Sequence, residues 1–305
     1  MSEIVLHHYP RSPFAEKARL VLGFKGIAWR GVIIPRWMPK PDLMPLTGGY
    51  RKTPVLQIGA DVFCDTRLIL RELERRHPSP SLYPKGTAGV ADALAAWADS
   101  RLFIDAVGVV FGTLADQFPA DLKQDRAKFT DGLLDAERLK ANQPAVRDQF
   151  RARSAFIEEM LGDGRQYLLG GAPSMADFAA YHPLWFVRGN LQEGWTFAGR
   201  PRTLAWMDRI AAVGHATSTE LDAKEALAIA KAATPAPAKG IAAGELRSFK
   251  AGEPVTVAAN DYGRDPVAGK LATLDAEEIA IRREAPEVGE VVLHFPRAGF
   301  DIRAA

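Results

Sequence analysis

Cysteine is nearly absent from this chain, since Cys64 is the single one among 305 residues. One cysteine excludes a disulfide within the chain and is typical of a reducing compartment. Long apolar runs are also missing, so no segment has the ~20 apolar residues that a transmembrane helix needs. The first residues lack the basic start and apolar stretch of a signal peptide. We therefore predict a cytoplasmic protein that does not enter the membrane.

Neither sign of charge is in excess. The 39 Lys and Arg residues nearly balance 37 Asp and Glu residues, and the net charge is +2. No basic run carries interleaved aromatic residues, which argues against a nucleic-acid partner. Histidine is scarce, and the neighbours His7 and His8 would point to opposite faces of a strand. Without HExxH, CxxC, GxSxG or a phosphate loop, we expect no metal.

The first 86 residues follow an α/β order. Ser12 is a good N-cap and Pro13 a good first residue for a helix over 13–25. Apolar and β-branched runs predict the strands, and the 3.6-residue period predicts a second helix. The predicted strands cover 3–8, 28–35, 53–59 and 61–66, and the second helix covers 65–77. A loop over 36–52 and a linker over 78–86 are rich in Pro.

The rest of the chain changes character twice. Residues 87–233 are helical by pattern, and a Pro- and Ala-rich linker follows at 234–240. Apolar and polar residues then alternate in five segments separated by turns, which predicts a small β-barrel or sandwich. The segments are PVTVAAN, AGKLATLD, EEIAIRRE, GEVVLHFP and FDIRAA. We predict three domains, at 1–80, 87–233 and 241–305.

Three segments resemble the cytosolic glutathione S-transferase family. They are YPRSPFAEKARLVLGFKGI, YRKTPVLQIGADVFCDTRLIL and YLLGGAPSMADFAAYHPL. The resemblance covers residues 1 to about 225 and implies a thioredoxin-like N-terminal domain followed by an all-helical domain. It also implies glutathione as co-substrate, an apolar electrophile as second substrate, and a homodimer. The β-rich tail is outside the usual family pattern.

Ser12 matches the family position that holds the glutathione thiolate, and Tyr9 and Arg11 are nearby substitutes. A thiol pKa of about 8.5 must fall by ~2 units, which requires about 2.7 kcal/mol of preference for the anion. A hydroxyl donor to a charged acceptor supplies roughly 1.5–3 kcal/mol. The helix N-terminus at Pro13 and Phe14 adds about 0.3–1 kcal/mol. A simple cap is the alternative, and Ser in place of Cys argues against a mixed-disulfide reductase.

The second segment carries the rest of the implied glutathione site. Thr53 and Pro54 match the family's cis-proline turn, and Val55 would pair with the peptide as an exposed strand edge does. Asp65 and Thr66 stand where the family usually has Glu-Ser, at a helix N-terminus that holds the γ-glutamyl carboxylate. The alternatives from the residues alone are an edge-strand proline and a helix cap.

Basic residues surround this segment, at Arg36, Lys40, Arg51 and Lys52. They form either a solvated loop face or a rim that attracts a ligand with two carboxylates. We select Lys40 and Lys52 as candidates for the glycyl carboxylate.

The remaining residues with reactive or polar side chains are assigned structural roles. Cys64 is predicted to be a buried structural thiol, and Ser174 with Asp177 a capping box. Aromatic and apolar residues of the helical segment form either its core or the second-substrate pocket. These are Trp97, Phe103, Val107, Phe111, Tyr181 and Trp185.

Two function hypotheses follow from the resemblance. The first is a glutathione transferase that conjugates the thiolate to a hydrophobic electrophile. The alternative is a non-catalytic binding or scaffold protein of the same fold, with the β tail as interaction module. A glutathione-dependent reductase or lyase is a third possibility.

Overall fold

The structure, a computed structural model, describes residues 3–192 and 194–305. The strands are β1 (Ile4–His8), β2 (Trp29–Ile33), β3 (Val55–Ile58), β4 (Asp61–Cys64), β5 (Ser218–Glu220), β6 (Gly240–Ile241), β7 (Pro254–Ala259), β8 (Val267–Leu274), β9 (Glu278–Ala285), β10 (Gly289–Pro296) and β11 (Phe300–Ala304). The helices are α1 (Pro13–Phe24), α2 (Met44–Thr47), α3 (Thr66–Arg76), α4 (Ala88–Trp97), α5 (Phe103–Thr113), α6 (Ala120–Phe129), α7 (Ala136–Ala141), α8 (Gln143–Met160), α9 (Met175–Asn190), α10 (Pro201–Ala211) and α11 (Ala223–Ala232).

The chain divides into two compact units. The sheet unit contains the residues up to Ala18 together with Ala28–Glu72 and Thr217–Ala305. The helical unit contains Arg19–Ile27 and Leu73–Ala216. The predicted strand-rich tail is confirmed, whereas the three-domain division at 1–80, 87–233 and 241–305 stays a prediction.

Local sequence signals explain the first part of the sheet unit. Ser12 caps α1, Pro13 is its first residue, and β1 and β2 on either side of the helix pair in parallel. A crossover helix is the usual connection between parallel strands. β3 and β4 form an antiparallel hairpin in which Gly59 has a φ of 63°, a left-handed conformation that favours glycine. The strand order β4-β3-β1-β2 follows from these pairings.

The tail continues this sheet. β10 pairs in parallel with β4, with Val292 opposite Asp61 and His294 opposite Phe63. The resulting order is β11-β7-β8-β9-β10-β4-β3-β1-β2-β5, and β6 pairs with β8. An unpaired strand edge exposes N–H and C=O groups. At β4 those groups are covered by a strand that lies about 230 residues later in the chain.

One apolar core joins both halves of this sheet. Val32 and Val62 from the first half belong to the same buried cluster as Val257, Ile281 and Phe295 from the tail. The tail also contacts the segment around α2, because Arg283 Nη1 donates to the carbonyl oxygen of Pro45 at 2.7 Å. The tail therefore packs against the N-terminal half instead of extending away from it.

The helical unit is organised around α9. The capping box that the sequence predicts is confirmed, because the Ser174 and Asp177 side chains bond reciprocally at the start of α9. Asp177 also accepts hydrogen bonds from the Leu168 amide at 2.8 Å and from Trp206 Nε1 at 2.9 Å. These bonds fix the start of α9 against a loop and against α10, which is a folding role.

The apolar candidates for a second-substrate pocket are mostly core residues. Phe103, Val107, Phe111 and Tyr181 are buried, and Trp97 and Trp185 are partly buried. Their placement favours the packing alternative for the four buried residues.

Candidate functional site

Three strand ends meet at one edge of the sheet unit. His7 near the end of β1 lies opposite Val55 at the start of β3, and Val55 lies opposite Cys64 at the end of β4. β1 and β4 both run toward this edge, and β3 runs away from it. The loops that carry Ser12, Pro54 and Thr66 therefore begin or end at the same edge, which we call the ligand edge.

Ser12 caps the helix that starts at the ligand edge. Its Oγ accepts a hydrogen bond from the Ala15 amide at 3.2 Å, and its own amide donates to the Tyr9 carbonyl oxygen at 3.1 Å. Ser12 is buried, with 2% of its surface exposed. A hydroxyl has one donor hydrogen and two acceptor lone pairs. The cap uses an acceptor site, and no acceptor for the O–H hydrogen is found among residues 3–192 and 194–305, so this hydrogen can be donated to an anionic ligand.

The neighbours of Ser12 differ in exposure. Tyr9 is half-buried and packs against the core of the sheet unit, whereas Arg11 is exposed. Pro13 is buried, and the half-buried Phe14 ring lies 5.2 Å from the Lys17 ammonium. Arg11 is thus the solvent-facing side chain of this group.

The turn before β3 has the geometry that the resemblance implies. The Thr53–Pro54 peptide bond is cis. We expected Val55 to lie on an exposed strand edge, and this is wrong, because β3 has β1 on one side and β4 on the other. Any backbone contact of Val55 with a ligand is thus confined to the start of β3, next to the cis-proline turn.

Lys40 supports the turn from within. Its Nζ donates to the Arg51 carbonyl oxygen and to Thr53 Oγ1, both at 3.0 Å, and only 3% of the residue is exposed. The sequence suggested an exposed basic rim at this position. The structure instead places the Lys40 ammonium against the loop that precedes β3.

Lys52 is bound by the tail. Its Nζ lies 2.6 Å from Asp261 Oδ1 and 4.2 Å from the centre of the Tyr262 ring. Asp261 and Tyr262 lie in the β7–β8 loop, and nothing in the sequence links this loop to residue 52. Sequence reasoning missed both residues, because a contact across 209 positions leaves no local signal.

Asp65 and Thr66 form a second helix start at the ligand edge. Asp65 Oδ1 accepts from the Arg67 amide at 2.8 Å, and its backbone has a φ of 73°. Non-glycine residues rarely adopt this conformation, and such strain tends to be stored at functional sites. Thr66, the first residue of α3, is buried. A helix N-terminus offers amide donors to an anion.

Cys64 lies directly before this helix start. It is fully buried, and burial, with a smaller contribution from Asp65, raises the pKa of its thiol well above the usual value. A buried neutral thiol fits the predicted structural role.

Two family models match the chain. One describes the glutathione S-transferase N-terminal domain and matches residues 6–81, and the other describes the C-terminal domain and matches residues 133–209. A solved structure of a GST-like protein from Pseudomonas syringae is 43% identical, with a TM-score of 0.83, and the alignment covers 99% of this chain and 100% of that one. The chain belongs to the glutathione S-transferase family. Its thioredoxin-like N-terminal fold and helical C-terminal domain are thereby confirmed.

Other proteins match a smaller part of the chain. FtsZ-localized protein A from Caulobacter vibrioides is 27% identical over 183 residues, which are 58% of this chain and 74% of that protein. A glutathione S-transferase from Rhodospirillum rubrum shares the fold at 21% identity and a TM-score of 0.53, covering 68% of this chain and 88% of that one. The near-complete match to the Pseudomonas protein therefore includes the strand-rich tail of this transferase-family chain.

Two further properties of this transferase-family chain concern ligands and membranes. Across residues 3–192 and 194–305, no cluster of three or more His, Cys, Asp or Glu side chains is arranged to hold a metal ion. Every helix in the same ranges is too short or too polar to cross a lipid bilayer.

Proposed function

We propose that the chain binds glutathione at the ligand edge and that Ser12 holds its sulfur as a thiolate. The observation that carries this proposal is the position of the Ser12 hydroxyl. It caps the first turn of α1 through an acceptor site and keeps its hydrogen for a second partner. In this proposal, the cysteinyl part of glutathione contacts Thr53, Pro54 and Val55. The γ-glutamyl end lies at the N-terminus of α3, where Asp65 contacts its ammonium and Thr66 its carboxylate.

The remaining steps of the proposed reaction follow the family. The thiolate attacks an apolar electrophile, and the chain acts as a cytoplasmic homodimer. Membership of the family supports the use of glutathione as co-substrate. Light scattering on the purified protein tests the dimer.

Titration of the bound thiol tests the role of Ser12. With saturating glutathione, thiolate absorbance in the ultraviolet should report a pKa about 2 units below the free value of ~8.5. We expect Ser12→Ala to raise the pKa of the bound thiol most of the way toward 8.5, with the helix N-terminus keeping a small part of the shift. Conjugation at neutral pH should fall by up to ~25-fold, because the thiolate fraction at pH 7 is about 0.76 for a pKa of 6.5 and about 0.03 for a pKa of 8.5. Ser12→Thr, which keeps the hydroxyl, should retain most of the shift.

Loss of the helix cap must be separated from loss of the thiolate contact. Replacing a Ser cap by Ala costs roughly 0.5–2 kcal/mol of stability, so urea unfolding of each variant is measured in parallel. A folded Ser12→Ala protein with an unchanged thiol pKa contradicts the proposal.

A non-catalytic binding role is the second candidate. Lys40 and Lys52, the two cations selected for the glycyl carboxylate, are both engaged by other parts of the chain. The relative from Caulobacter vibrioides is named for its localisation with FtsZ, and a role of that kind is the alternative proposal.

A glutathione-affinity column separates the two roles. Retention with turnover supports the transferase, and retention without turnover supports the binding protein. Passage through the column without retention contradicts glutathione binding altogether.

A further inference from the structure

The β7–β8 loop of the tail contacts Lys52, which lies next to the ligand edge. Lys52 is two residues before the cis-proline, and its ammonium lies between the Asp261 carboxylate and the Tyr262 ring. Only 12% of the Lys52 side chain is exposed, whereas 54% of the Asp261 side chain is exposed. A cation in this position has both an opposite charge and an aromatic face as partners. An anion that approaches Lys52 must therefore displace or share Asp261.

The buried side chain of Tyr50 also responds to Asp261. Its hydroxyl is buried and has no hydrogen-bond partner within the described ranges 3–192 and 194–305. Burial raises the pKa of Tyr50 well above its usual value, and the carboxylates of Asp65 and Asp261 raise it further. Asp65 at the start of α3 and Asp261 in the tail loop therefore both act on one buried side chain. A ligand carboxylate that approaches Lys52 would be repelled by the Asp261 charge, which lies 2.6 Å from the Lys52 ammonium.

We propose that Asp261 and Tyr262 determine the specificity of the glutathione site by binding the Lys52 ammonium. A carboxylate at the glycine end of the ligand then adds little binding free energy. This inference rests on the proposed function. The preferred ligand class is a γ-glutamyl-cysteinyl thiol whose C-terminal end is uncharged, such as a peptide amide. The tail thereby contributes a wall of the site that the N-terminal residues alone do not provide.

Removal of the Asp261 charge tests this inference. The dissociation constants of glutathione and of two analogues, each with one carboxylate amidated, are measured by calorimetry. In Asp261→Asn, Lys52 becomes available to the ligand, and the preference for glutathione over its glycine-amidated analogue should rise by about 2- to 5-fold. This range is the effect of a partly exposed ion pair worth at most ~1 kcal/mol. The ratio of the dissociation constants of glutathione and of the analogue amidated at the glutamyl end should not change.

Two further variants make the result specific. Asp265→Asn removes the same charge from the same loop and should leave both ratios unchanged. In the Lys52→Gln background, Asp261→Asn should no longer change the ratio, because the cation for which the two carboxylates compete is gone.

Each remaining outcome overturns the inference. Tighter binding of glutathione than of its glycine-amidated analogue by the wild type contradicts it while leaving glutathione binding intact. An unchanged preference in Asp261→Asn, an equal shift in Asp265→Asn, or a shift confined to the glutamyl-end analogue does the same. Failure of the wild type and of every variant to bind glutathione contradicts the proposed function as well.

Discussion

Two histidines on strands of the same sheet, the buried His7 and the partly buried His294, have opposite electrostatic surroundings. His7 on β1 pairs through Nε2 with Gln57 Oε1 at 2.8 Å. His294 on β10 lies between two carboxylates, with Nδ1 2.5 Å from Glu278 Oε1 and Nε2 3.0 Å from Asp61 Oδ1. Its ring stacks on Phe63 with the ring centres 4.4 Å apart. The first region is neutral, and the second is a charged cluster.

The difference shows that partners, more than burial, decide the charge of a buried imidazole. Burial lowers the pKa of His7 to about 4, and the amide of Gln57 opposes this only weakly. Burial also acts to lower the pKa of His294, but hydrogen bonds and charges from Asp61 and Glu278 raise it above the usual value. The pKa of Glu278 falls to about 2 because bonds to His294 and Lys239 outweigh its burial.

The two regions also hold different parts of the fold. Gln57 Nε2 donates to the Ala226 carbonyl oxygen at 2.8 Å, so the neutral network attaches α11 to the N-terminal half of the sheet. The charged cluster spans β4, β9 and β10, which is where the tail joins that half. Because β10 joins the sheet at this junction, we expect removal of His294 to cost more stability than removal of His7.

The largest expected effect comes from removing the His294 imidazole, which lies between two buried carboxylates. In His294→Gln, the Asp61 and Glu278 carboxylates remain buried without it, and we expect a loss of about 3–5 kcal/mol in the free energy of unfolding at neutral pH. Urea denaturation measures this. The matched change His7→Gln replaces one neutral hydrogen-bonding side chain by another and should cost about 1–2 kcal/mol. Equal losses in the two variants would contradict the comparison.

The pH dependence of stability should separate the two histidines. The neutral state of buried His7 is favoured in the fold, so its contribution is lost as the pH falls below 6.5, its unperturbed value, toward about 4. Each pH unit in this window costs about 1.4 kcal/mol. Between pH 7 and pH 5, the wild type should therefore lose about 2 kcal/mol more than His7→Gln.

His294 should act in the opposite direction. Because its folded pKa is raised, its contribution is fully present below 6.5 and is lost as the pH rises through the folded value. The difference in unfolding free energy between the wild type and His294→Gln should therefore shrink at alkaline pH. A difference that grows with pH would show that Asp61 and Glu278 do not hold His294 in its charged form.

The smallest effect is expected at the rim of the cluster. Lys239 Nζ lies 2.5 Å from Glu278 Oε2, but 65% of the Lys239 side chain is exposed. Exposed ion pairs contribute about 0–1 kcal/mol and are screened by salt. Lys239→Gln should thus lower the unfolding free energy by less than ~1 kcal/mol, and by less still in high salt. If Lys239→Gln lowered the unfolding free energy as much as His294→Gln, Lys239 and not His294 would be the main partner of Glu278.

Local patterns were sufficient for the elements at the ligand edge. Ser12 and Pro13 mark the start of α1, and Gly59 marks the β3–β4 turn, because caps and turns depend on residues that are adjacent in the chain. The same patterns could not show that Lys40 is buried. A lysine in a Pro-rich loop is read as solvated, and only the fold brings the Arg51 carbonyl oxygen to its ammonium.

The amino-acid sequence by itself determined β1, α1, β2, the β3–β4 hairpin and α3, the capped start of α1 and the alternating pattern of the tail. It did not predict β5, which lies inside the segment 87–233 that the pattern predicted to be helical. Only the tertiary structure decided that β10 pairs with β4, that Asp61, Glu278 and His294 form one cluster, and that Asp261 binds Lys52. The physical reason is range. Propensity, capping and turn chemistry act over a few residues, whereas strand register and charge pairing depend on which distant segments the buried apolar core brings together.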